Sequence, residues 1–354
     1  MPNSIITSTG CCIPPEIIPN THFLDNTFYD AQGTRIDKPN SEIIDKLYNI
    51  TGIRERRYAP ENLTTTDIAH EAAAQALEGV DKESLDYIIV AQNFGDVRAG
   101  NIRTDMVPSI ASRVKHQLQI KNPFTVAYDI PFGCPGWVQG MIMGDYYIRS
   151  GDARRVLVIG AEILSRVTDP HDVDCMIFAD GAGATLLEAT DENGVGILAH
   201  STRSDTFDKA WRLRLGKSYA PDWPGDELLV KMDGHDIYKY ALRTVPKMVR
   251  RVLEKADLTI GDVSKILMHQ ANAKMDDAIL QRLFQLCGVN TIPGGIMPMT
   301  IHWTGNSSVA TIPTMLDLLV RGRLDGHELD RGDVVVFASV GAGMNINAMV
   351  YRVP

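Results

Sequence analysis

Two stretches of this sequence follow the same pattern, and that internal repeat limits the possible folds more than any other feature. In each stretch, an apolar strand-like run leads to a glycine-containing turn, an apolar segment of helical length and a second strand-like run. The first strand-like run ends at Gln92 in one stretch and at Gln270 in the other, 178 residues later. The turn holds Cys134 in one stretch and Asn306 in the other, 172 residues later. A repeat this long predicts two similar α/β halves.

The strand-like runs are short and continuously apolar, as in residues 155–160 and 334–337. Runs of this kind are typical of strands in a buried, mostly parallel sheet covered by helices. We therefore predict an α/β fold made of two closely packed halves. The first covers residues 1–190 and the second covers residues 191–354.

Composition excludes several classes of protein. The 354 residues are 44% hydrophobic and 22% charged, which fits a globular chain rather than a disordered or collagen-like one. The formal net charge of −9 argues against a nucleic-acid partner. No apolar run approaches the roughly 20 residues that a membrane span needs, and the start of the sequence lacks the basic lead of a signal peptide.

The five cysteines lack the regular spacing of a disulfide framework or a zinc site. The nine histidines likewise form no metal-binding motif such as HExxH. These patterns predict a chain without a metal site that works in a reducing cytoplasm.

Cys134 is the candidate nucleophile. It lies in the turn Gly133–Trp137, ahead of a helical segment in which Gly136, Gly140 and Gly144 leave one face nearly bare. The positive end of that helix and its free N–H groups are expected to favour the thiolate. The alternative is a small apolar side chain in a buried turn, and it applies to the other four cysteines.

His269 and Asn306 are candidate hydrogen-bond donors. His269 follows a strand-like run at its carboxyl end, where open α/β sheets bind their ligands, and its imidazole can donate a hydrogen bond or move a proton. The alternative for His269 is a structural histidine, and for Asn306 a helix cap. The position of Asn306 opposite Cys134 in the repeat distinguishes it from an ordinary cap.

Two glycine-rich segments complete the set. Residues 180–184 precede a strand-like run rather than a helix, so we predict a hairpin turn there and not a phosphate loop. The turn at residues 341–343 lies between two strand-like runs. It either places a backbone N–H at an oxyanion or is an ordinary tight turn.

Taken in order, these motifs resemble the thiolase-fold condensing enzymes, and most closely the 3-oxoacyl-acyl carrier protein synthase III family. The matching motifs cover nearly the whole chain. They are Thr51-Gly52-Ile53-Arg54-Glu55-Arg56, the Cys134 turn, Asp180-Gly181-Ala182-Gly183-Ala184, His269-Gln270-Ala271-Asn272, Gly305-Asn306-Ser307-Ser308 and Gly341-Ala342-Gly343.

The resemblance implies a five-layered α-β-α-β-α fold, a homodimer and a catalytic triad of Cys134, His269 and Asn306. In the expected reaction, Cys134 accepts an acyl group from a thioester. A malonyl- or 3-oxoacyl-type carrier-protein thioester then loses carbon dioxide and attacks that acyl group, giving a 3-oxoacyl product for fatty acid, secondary lipid or polyketide synthesis. Backbone N–H groups of Cys134 and Ala342 are expected to hold the oxyanion, and no bound cofactor is required.

The expected partner is an acyl carrier protein, which is acidic and carries its substrate on a phosphopantetheine arm. A basic stripe on one helical segment fits such a partner, and Lys239 and Lys274 match positions where the family places basic residues. An ordinary solvated helix face is the alternative. The candidate docking residues are Lys239, Arg243, Lys247, Arg250 and Lys274.

Several family positions hold unusual residues here. Lys46, Ile50 and Val173 replace a Trp and two Arg residues that grip the adenine end of coenzyme A in members primed by it. Val340 replaces an aromatic residue near the acyl site, and Val107 replaces a Phe that closes the acyl pocket across the dimer. We therefore expect a bulkier acyl donor, with both substrates carried on carrier proteins rather than coenzyme A.

Two other functions fit the same resemblance. One is a non-decarboxylating acyl transfer or a condensation like that of hydroxymethylglutaryl synthase, which needs a carboxylate base near Cys134. Asp96 and Asp105 lie in a plausible loop for that role. The other is a catalytically silent partner subunit, which would be expected to lose triad members, whereas this chain keeps all three.

Overall fold

A computed structural model of the chain describes residues 2–101 and 103–354. The strands in this part of the chain are β1 (Asn3–Cys12), β2 (Glu16–Pro19), β3 (Glu55–Tyr58), β4 (Tyr87–Ala91), β5 (Val126–Ile130), β6 (Arg155–Ile163), β7 (Asp180–Thr190), β8 (Gly196–Ser204), β9 (Leu213–Gly216), β10 (Leu229–Met232), β11 (Lys265–Met268), β12 (Val334–Gly341) and β13 (Asn345–Arg352).

The helices of the same part of the chain range from single turns to six turns. They are α1 (Asn40–Thr51), α2 (Thr65–Ala76), α3 (Ile110–Gln117), α4 (Gly136–Ser150), α5 (Thr206–Lys209), α6 (Gly234–Lys255), α7 (Ala273–Leu286), α8 (Ile301–Thr304) and α9 (Thr311–Val320). None of them combines the length and the apolar character that crossing a membrane requires.

The two large sheets share an arrangement of four strands. The first has the order β1-β7-β6-β4-β5 and the second has the order β11-β12-β13-β8, so β5 is an additional edge strand of the first sheet. The pairs β4/β6 and β11/β12 are parallel. The next two pairs are antiparallel in each sheet, namely β6/β7 and β7/β1 in the first and β12/β13 and β13/β8 in the second. The predicted repeat is therefore real. A boundary at residue 190 remains a proposal, and residue 190 is the last residue of β7.

Three apolar cores separate five layers. Helices α2 and α3 cover the outer face of the first sheet, and α6 and α7 cover the outer face of the second. Helices α4 and α9 lie between the sheets, where Trp137 and Met315 share a core with Val158 and Phe337. The chain thus has the α-β-α-β-α arrangement expected from the resemblance.

The glycines of α4 let this central helix lie directly on the first sheet. A Cβ atom added at Gly136, Gly140 or Gly144 would come within 2.9 Å of a side-chain carbon of Ala91, Val158 or Leu187, respectively. Real Cβ atoms do not approach other atoms so closely, because close-packed interiors leave no room for an extra methyl group. The bare face predicted from the sequence is therefore the contact face of the helix.

The glycine-rich segment at residues 180–184 is not a hairpin turn, so that prediction was wrong. It forms the first half of β7, paired with both β1 and β6. A Cβ atom at Gly183 would lie 2.6 Å from the backbone nitrogen of Thr314. The glycine is needed because α9 crosses the strand at backbone contact, which sequence spacing alone does not reveal.

Candidate active site

Cys134 lies in the turn between β5 and α4, two residues before the helix begins. Gly133 has a φ of +66°, a conformation that side chains disfavour. The turn opens into a cavity of about 280 Å³ with a mostly apolar lining. The lining residues are Asn93, Phe94, Gly133, Cys134, Leu164, Phe178, Leu213, Arg214, Leu215, Val230, Asn306, Ser308 and Ala342.

The turn at residues 341–343 packs against the Cys134 turn at backbone contact. A Cβ atom added at Gly341 would lie 2.6 Å from the backbone nitrogen of Cys134, and one at Gly133 would lie 2.8 Å from that of Ala342. The N–H groups of Cys134 and Ala342 thus belong to neighbouring turns on the cavity wall. Two backbone donors in this arrangement are suited to hold an oxyanion.

Asn306 lies in the equivalent turn of the second half, and it is 5% exposed. Its backbone N–H donates to Ile177 O (3.0 Å), and its carbonyl accepts from Ala179 N–H (2.9 Å). Its side-chain Oδ1 accepts from Ser308 N–H (2.9 Å). With Oδ1 occupied, the Nδ2 group is the part of the amide that can donate to a ligand in the cavity.

Ser308 connects the candidate residues. Its hydroxyl donates to Cys134 Sγ (3.4 Å), and its N–H bonds to Asn306 as described above. Its φ of +53° is a left-handed conformation that is costly for a residue with a Cβ atom. The sequence indicated Ser308 only as the last residue of the Gly305–Ser308 motif, so its contacts with both Cys134 and Asn306 were missed.

His269 lies at the carboxyl end of β11 as predicted, next to the lining residue Ser308. Its ring is 4% exposed and interacts with the Ser308 backbone. Its backbone N–H donates to Ala338 O of β12 (2.9 Å). The neighbouring Gln270 accepts from Thr300 and Ile301 N–H through Oε1, which ties this loop to the segment that leads to Asn306.

Burial sets the charge state of both titratable candidates. It raises the pKa of the Cys134 thiol to about 11, against the opposing hydrogen bond from Ser308. It lowers the pKa of His269 to about 4. The resting site therefore holds a neutral thiol and a neutral imidazole. Burial therefore opposes the thiolate that the sequence was expected to favour at this helix start.

Two polar residues beside Cys134 were missed in the sequence. Glu162, on β6, is 0% exposed, and its Oε2 accepts from Asn93 Nδ2 (2.6 Å). Asn93 in turn accepts from Gly133 N–H (2.8 Å). A single carboxylate in the apolar run Arg155–Ile163 was the available signal for Glu162, since an unpaired charge is rarely buried there without a function.

Asp96 and Asp105, the carboxylates considered for a base, are held elsewhere. Arg113 forms ion pairs with both, at 2.7 Å and 2.6 Å, and Asp96 also accepts from Thr66. Neither lines the cavity. In the described residues, no group of three or more His, Cys, Asp or Glu side chains is arranged to hold a metal ion.

The remaining candidates lie away from Cys134. Val107 is 85% exposed and Val340 packs in the core of the second half, so neither lines the cavity of the single chain. The five docking candidates are all exposed. Four of them follow one face of α6, namely Lys239, Arg243, Lys247 and Arg250, and Lys274 lies in the first turn of α7.

Comparisons with known proteins identify relatives of this chain. Residues 128–206 match the family 3-oxoacyl-[acyl-carrier-protein (ACP)] synthase III, and residues 253–353 match its C-terminal family. The chain is 32% identical over 357 residues to beta-ketoacyl-[acyl-carrier-protein] synthase III of Ehrlichia canis, with all of both chains covered.

Two solved structures are similar along nearly the whole chain. One is 3-oxoacyl-[acyl-carrier-protein] synthase III from Aquifex aeolicus, with 29% identity, a TM-score of 0.79 and 99% of both chains covered. The other is the priming beta-ketosynthase of the R1128 polyketide pathway, with 26% identity and a TM-score of 0.80. The match covers 99% of this chain and 96% of the ketosynthase.

Proposed function

Since the chain belongs to the 3-oxoacyl-[acyl-carrier-protein] synthase III family, we propose that Cys134, His269 and Asn306 carry its condensation reaction. The enzyme is an acyltransferase that joins an acyl thioester to a malonyl-type thioester with loss of carbon dioxide. The observation that supports this role for the three residues is their convergence on Ser308, at the bottom of an apolar cavity.

Acylation is the first step. The Cys134 thiolate attacks the carbonyl carbon of the acyl thioester, and the proton that the thiol gives up is balanced by protonation of the departing carrier sulfur. The oxyanion that forms is held by the N–H groups of Cys134 and Ala342, an effect worth about 3 kcal/mol per donor. Collapse expels the carrier thiol and leaves an acyl-Cys134 thioester, so one difficult condensation becomes two easier steps.

Condensation is the second step. The malonyl-type thioester binds with its carbonyl oxygen toward Asn306 Nδ2 and the neutral His269 ring. Loss of carbon dioxide leaves an enolate, whose negative oxygen these two donors stabilise. The enolate carbon then attacks acyl-Cys134, forming the carbon–carbon bond and expelling the Cys134 thiolate. A neutral imidazole suits this role, because it needs to donate a hydrogen bond rather than carry a charge.

The acyl carrier protein is proposed to dock on α6, beside the cavity. Lys239 and Arg243 share a surface hollow with Lys209 and Arg212 of the preceding segment. That segment also holds two strongly exposed aromatic side chains, Phe207 (104%) and Trp211 (77%). Arg212 pairs with Asp233 and Asp236, whereas Lys239 and Arg243 form no salt bridge in the part of the chain that the structure describes. These two cations beside exposed aromatic side chains fit an acidic helical partner.

Carrier-bound donors are favoured over coenzyme A by the positions that depart from the family. Val173 packs in an apolar cluster with Phe23 and Phe28, and so offers no cation to a phosphate. Asp172 and Asp174 flank it. Burial raises the pKa of Asp174 to about 7, with the neighbouring Asp172 adding to the shift. The side chains at this place therefore supply no cation for a nucleotide phosphate.

A homodimer is proposed from an open sheet edge. Strand β5 is the last strand of the first sheet, and Val126 on it is 48% exposed. Phe124 and Val107 nearby are 84% and 85% exposed. Edges of this kind are normally covered, and a second copy would both cover this one and bring its Val107 toward the acyl site, as the resemblance implies.

We also propose that the enzyme works in a reducing compartment, the cytoplasm. All five cysteines are unpaired, and the Cys134 mechanism requires a free thiol.

Product analysis tests the proposed reaction. Purified protein is supplied with octanoyl-pantetheine and a malonyl carrier protein, and the carrier-bound product is measured by mass spectrometry. We expect a 3-oxodecanoyl carrier and one released carbon dioxide. Condensation with an acetyl carrier instead of a malonyl carrier would point to the hydroxymethylglutaryl-type reaction, and no turnover with any donor would point to a silent subunit.

A further inference from the structure

Glu162 is a buried carboxyl group that the proposed mechanism does not use. It lies in the apolar strand β6, is 0% exposed and takes part in no salt bridge among the described residues. Its Oε1 atom is buried without a hydrogen-bond partner there. A fully buried carboxylate without a cation is costly, so such a group is kept either neutral or for a function.

A two-bond connection links Glu162 to the Cys134 turn. Asn93 Nδ2 donates to Glu162 Oε2 (2.6 Å), and Asn93 Oδ1 accepts from Gly133 N–H (2.8 Å). Gly133 is the residue whose left-handed backbone brings the turn into contact with Ala342. Because an amide side chain can rotate by half a turn, the bond to Glu162 fixes which end of Asn93 faces Gly133.

The charge of Glu162 also affects the nucleophile. Burial raises the pKa of Glu162 to about 8, against the opposing bonds from Asn93, and Asp180 of β7 adds to the shift. The Glu162 carboxylate is in turn one of the causes that raise the pKa of the Cys134 thiol. Cys134 and Asp180 are the titratable groups that face it, and both are neutral or negative. Ionisation of Glu162 therefore disfavours a second negative charge on Cys134.

We propose that Glu162 is a positioning residue for acylation. Through Asn93 it fixes the Gly133–Cys134 turn, and it does so as the uncharged acid, since its ionisation opposes formation of the Cys134 thiolate. The inference rests on the proposed role of Cys134 as the nucleophile.

The pH dependence of acylation tests whether Glu162 acts as the uncharged acid. The single-turnover rate of acyl transfer from octanoyl-pantetheine is followed by intact mass between pH 6 and pH 9, for the unaltered chain and for Glu162→Gln. Glutamine can accept the Asn93 bond but cannot ionise. We expect the ratio of the Glu162→Gln rate to the unaltered rate to rise at least threefold as the pH passes through about 8.

Asp276→Asn is the matched control, because burial also raises the pKa of Asp276, and that carboxyl lies on α7 away from the cavity lining. Its rate ratio is expected to stay constant with pH. A constant ratio for Glu162→Gln as well would overturn the proposed charge dependence.

Alanine substitutions test the connection through Asn93. We expect Glu162→Ala to acylate at least tenfold more slowly than Glu162→Gln at pH 6.5, and a combined Glu162→Ala/Asn93→Ala variant to be no slower than Asn93→Ala alone. Equal rates for Glu162→Ala and Glu162→Gln would contradict the connection through Asn93. So would a double variant whose loss of rate is the product of the two single losses.

Thermal melts show whether each variant is folded. If Glu162→Ala fails to fold, Glu162→Leu replaces it, because leucine keeps most of the side-chain volume but accepts no bond from Asn93. At pH 6.5, Glu162→Leu is expected to acylate at least tenfold more slowly than Glu162→Gln, and equal rates would contradict the connection.

Failure of this inference is distinguishable from failure of the proposed function. If the unaltered chain takes up no octanoyl group on Cys134, the proposed function is wrong. If it becomes acylated while the Glu162 variants behave as the control does, only the role of Glu162 is wrong.

Discussion

The Cys134 turn and the Asn306 turn occupy equivalent places in the two halves, and each is completed by the other half. The Cys134 turn contacts Ala342, just before β13. The Asn306 turn pairs with Phe178, just before β7. Since β7 and β13 are equivalent strands, the two contacts are related by the repeat.

What differs is the chemistry of the side chains. The first turn holds the thiol that we propose as the nucleophile, with a helix that begins two residues later. The second holds an amide that has no charge to lose, followed by the left-handed Ser308. In the proposed mechanism, one of two equivalent turns thus supplies the nucleophile and the other supplies a hydrogen-bond donor.

Removing the donor of the second turn is expected to have the largest effect. Asn306→Ala should lower malonyl decarboxylation by about 100-fold to 1000-fold, the usual loss for one oxyanion donor, while acylation of Cys134 continues. Carbon dioxide release and intact mass measure the two steps separately. Ser307→Ala is the control, because Ser307 is buried beside Asn306 but does not line the cavity. Equal loss of both steps in Asn306→Ala would contradict the division of roles.

The pH profiles of the two steps should differ in the same way. With the pKa of the Cys134 thiol raised to about 11, the thiolate fraction and the acylation rate should rise about tenfold per unit between pH 6 and pH 8. Decarboxylation should stay flat over that range, because the pKa of His269 is lowered to about 4 and its ring remains neutral. Parallel profiles would show that both steps depend on one titrating group.

Crowding the contact between the first turn and Ala342 should have an intermediate effect. Gly341→Ala places a Cβ atom 2.6 Å from Cys134 N, so the two oxyanion donors must move apart. We expect acylation to fall roughly tenfold and the free energy of unfolding to fall by about 1–3 kcal/mol. Gly294→Ala is the control, since nothing lies within 4 Å of its added Cβ atom. An unchanged acylation rate for Gly341→Ala would argue against this oxyanion site.

Charge reversal on α6 should have the smallest effect. Lys239→Glu/Arg243→Glu should raise the KM for a malonyl carrier about fivefold, and less at high salt, because exposed charges are screened. The KM for malonyl-pantetheine, which lacks the acidic protein, should not change. Lys121→Glu, an exposed change on the first half, serves as the control. A similar rise with both donors would place the defect in the cavity rather than on the docking surface.

Much of the fold was predictable because it repeats. Strand-like runs and turns at matching offsets placed Cys134, His269 and Asn306 at the ends of equivalent elements, and the structure brings them to one site. The hairpin predicted at residues 180–184 was wrong, since the reason for its glycines is a helix crossing from more than a hundred residues away. Contacts of that range leave no local signal.

The environment of the site was less predictable. The pKa of the Cys134 thiol depends on burial by segments that are distant in the sequence. The cavity lining likewise comes from separate segments, with Phe94 after β4, Phe178 before β7 and Val230 on β10. Asn93 bonds to Glu162 and to Gly133, which are distant from it in the sequence, so no local pattern identifies it as a site residue.

Intact-mass measurement tests the central claim, that one turn carries the acyl group and the other does not. Unaltered protein, Cys134→Ala and Asn306→Ala are each incubated with octanoyl-pantetheine. The unaltered and Asn306→Ala proteins should gain the mass of one octanoyl group, and Cys134→Ala should gain none. An octanoyl adduct on Cys134→Ala, or its absence from Asn306→Ala, would contradict the assignment of the nucleophile to the first turn alone.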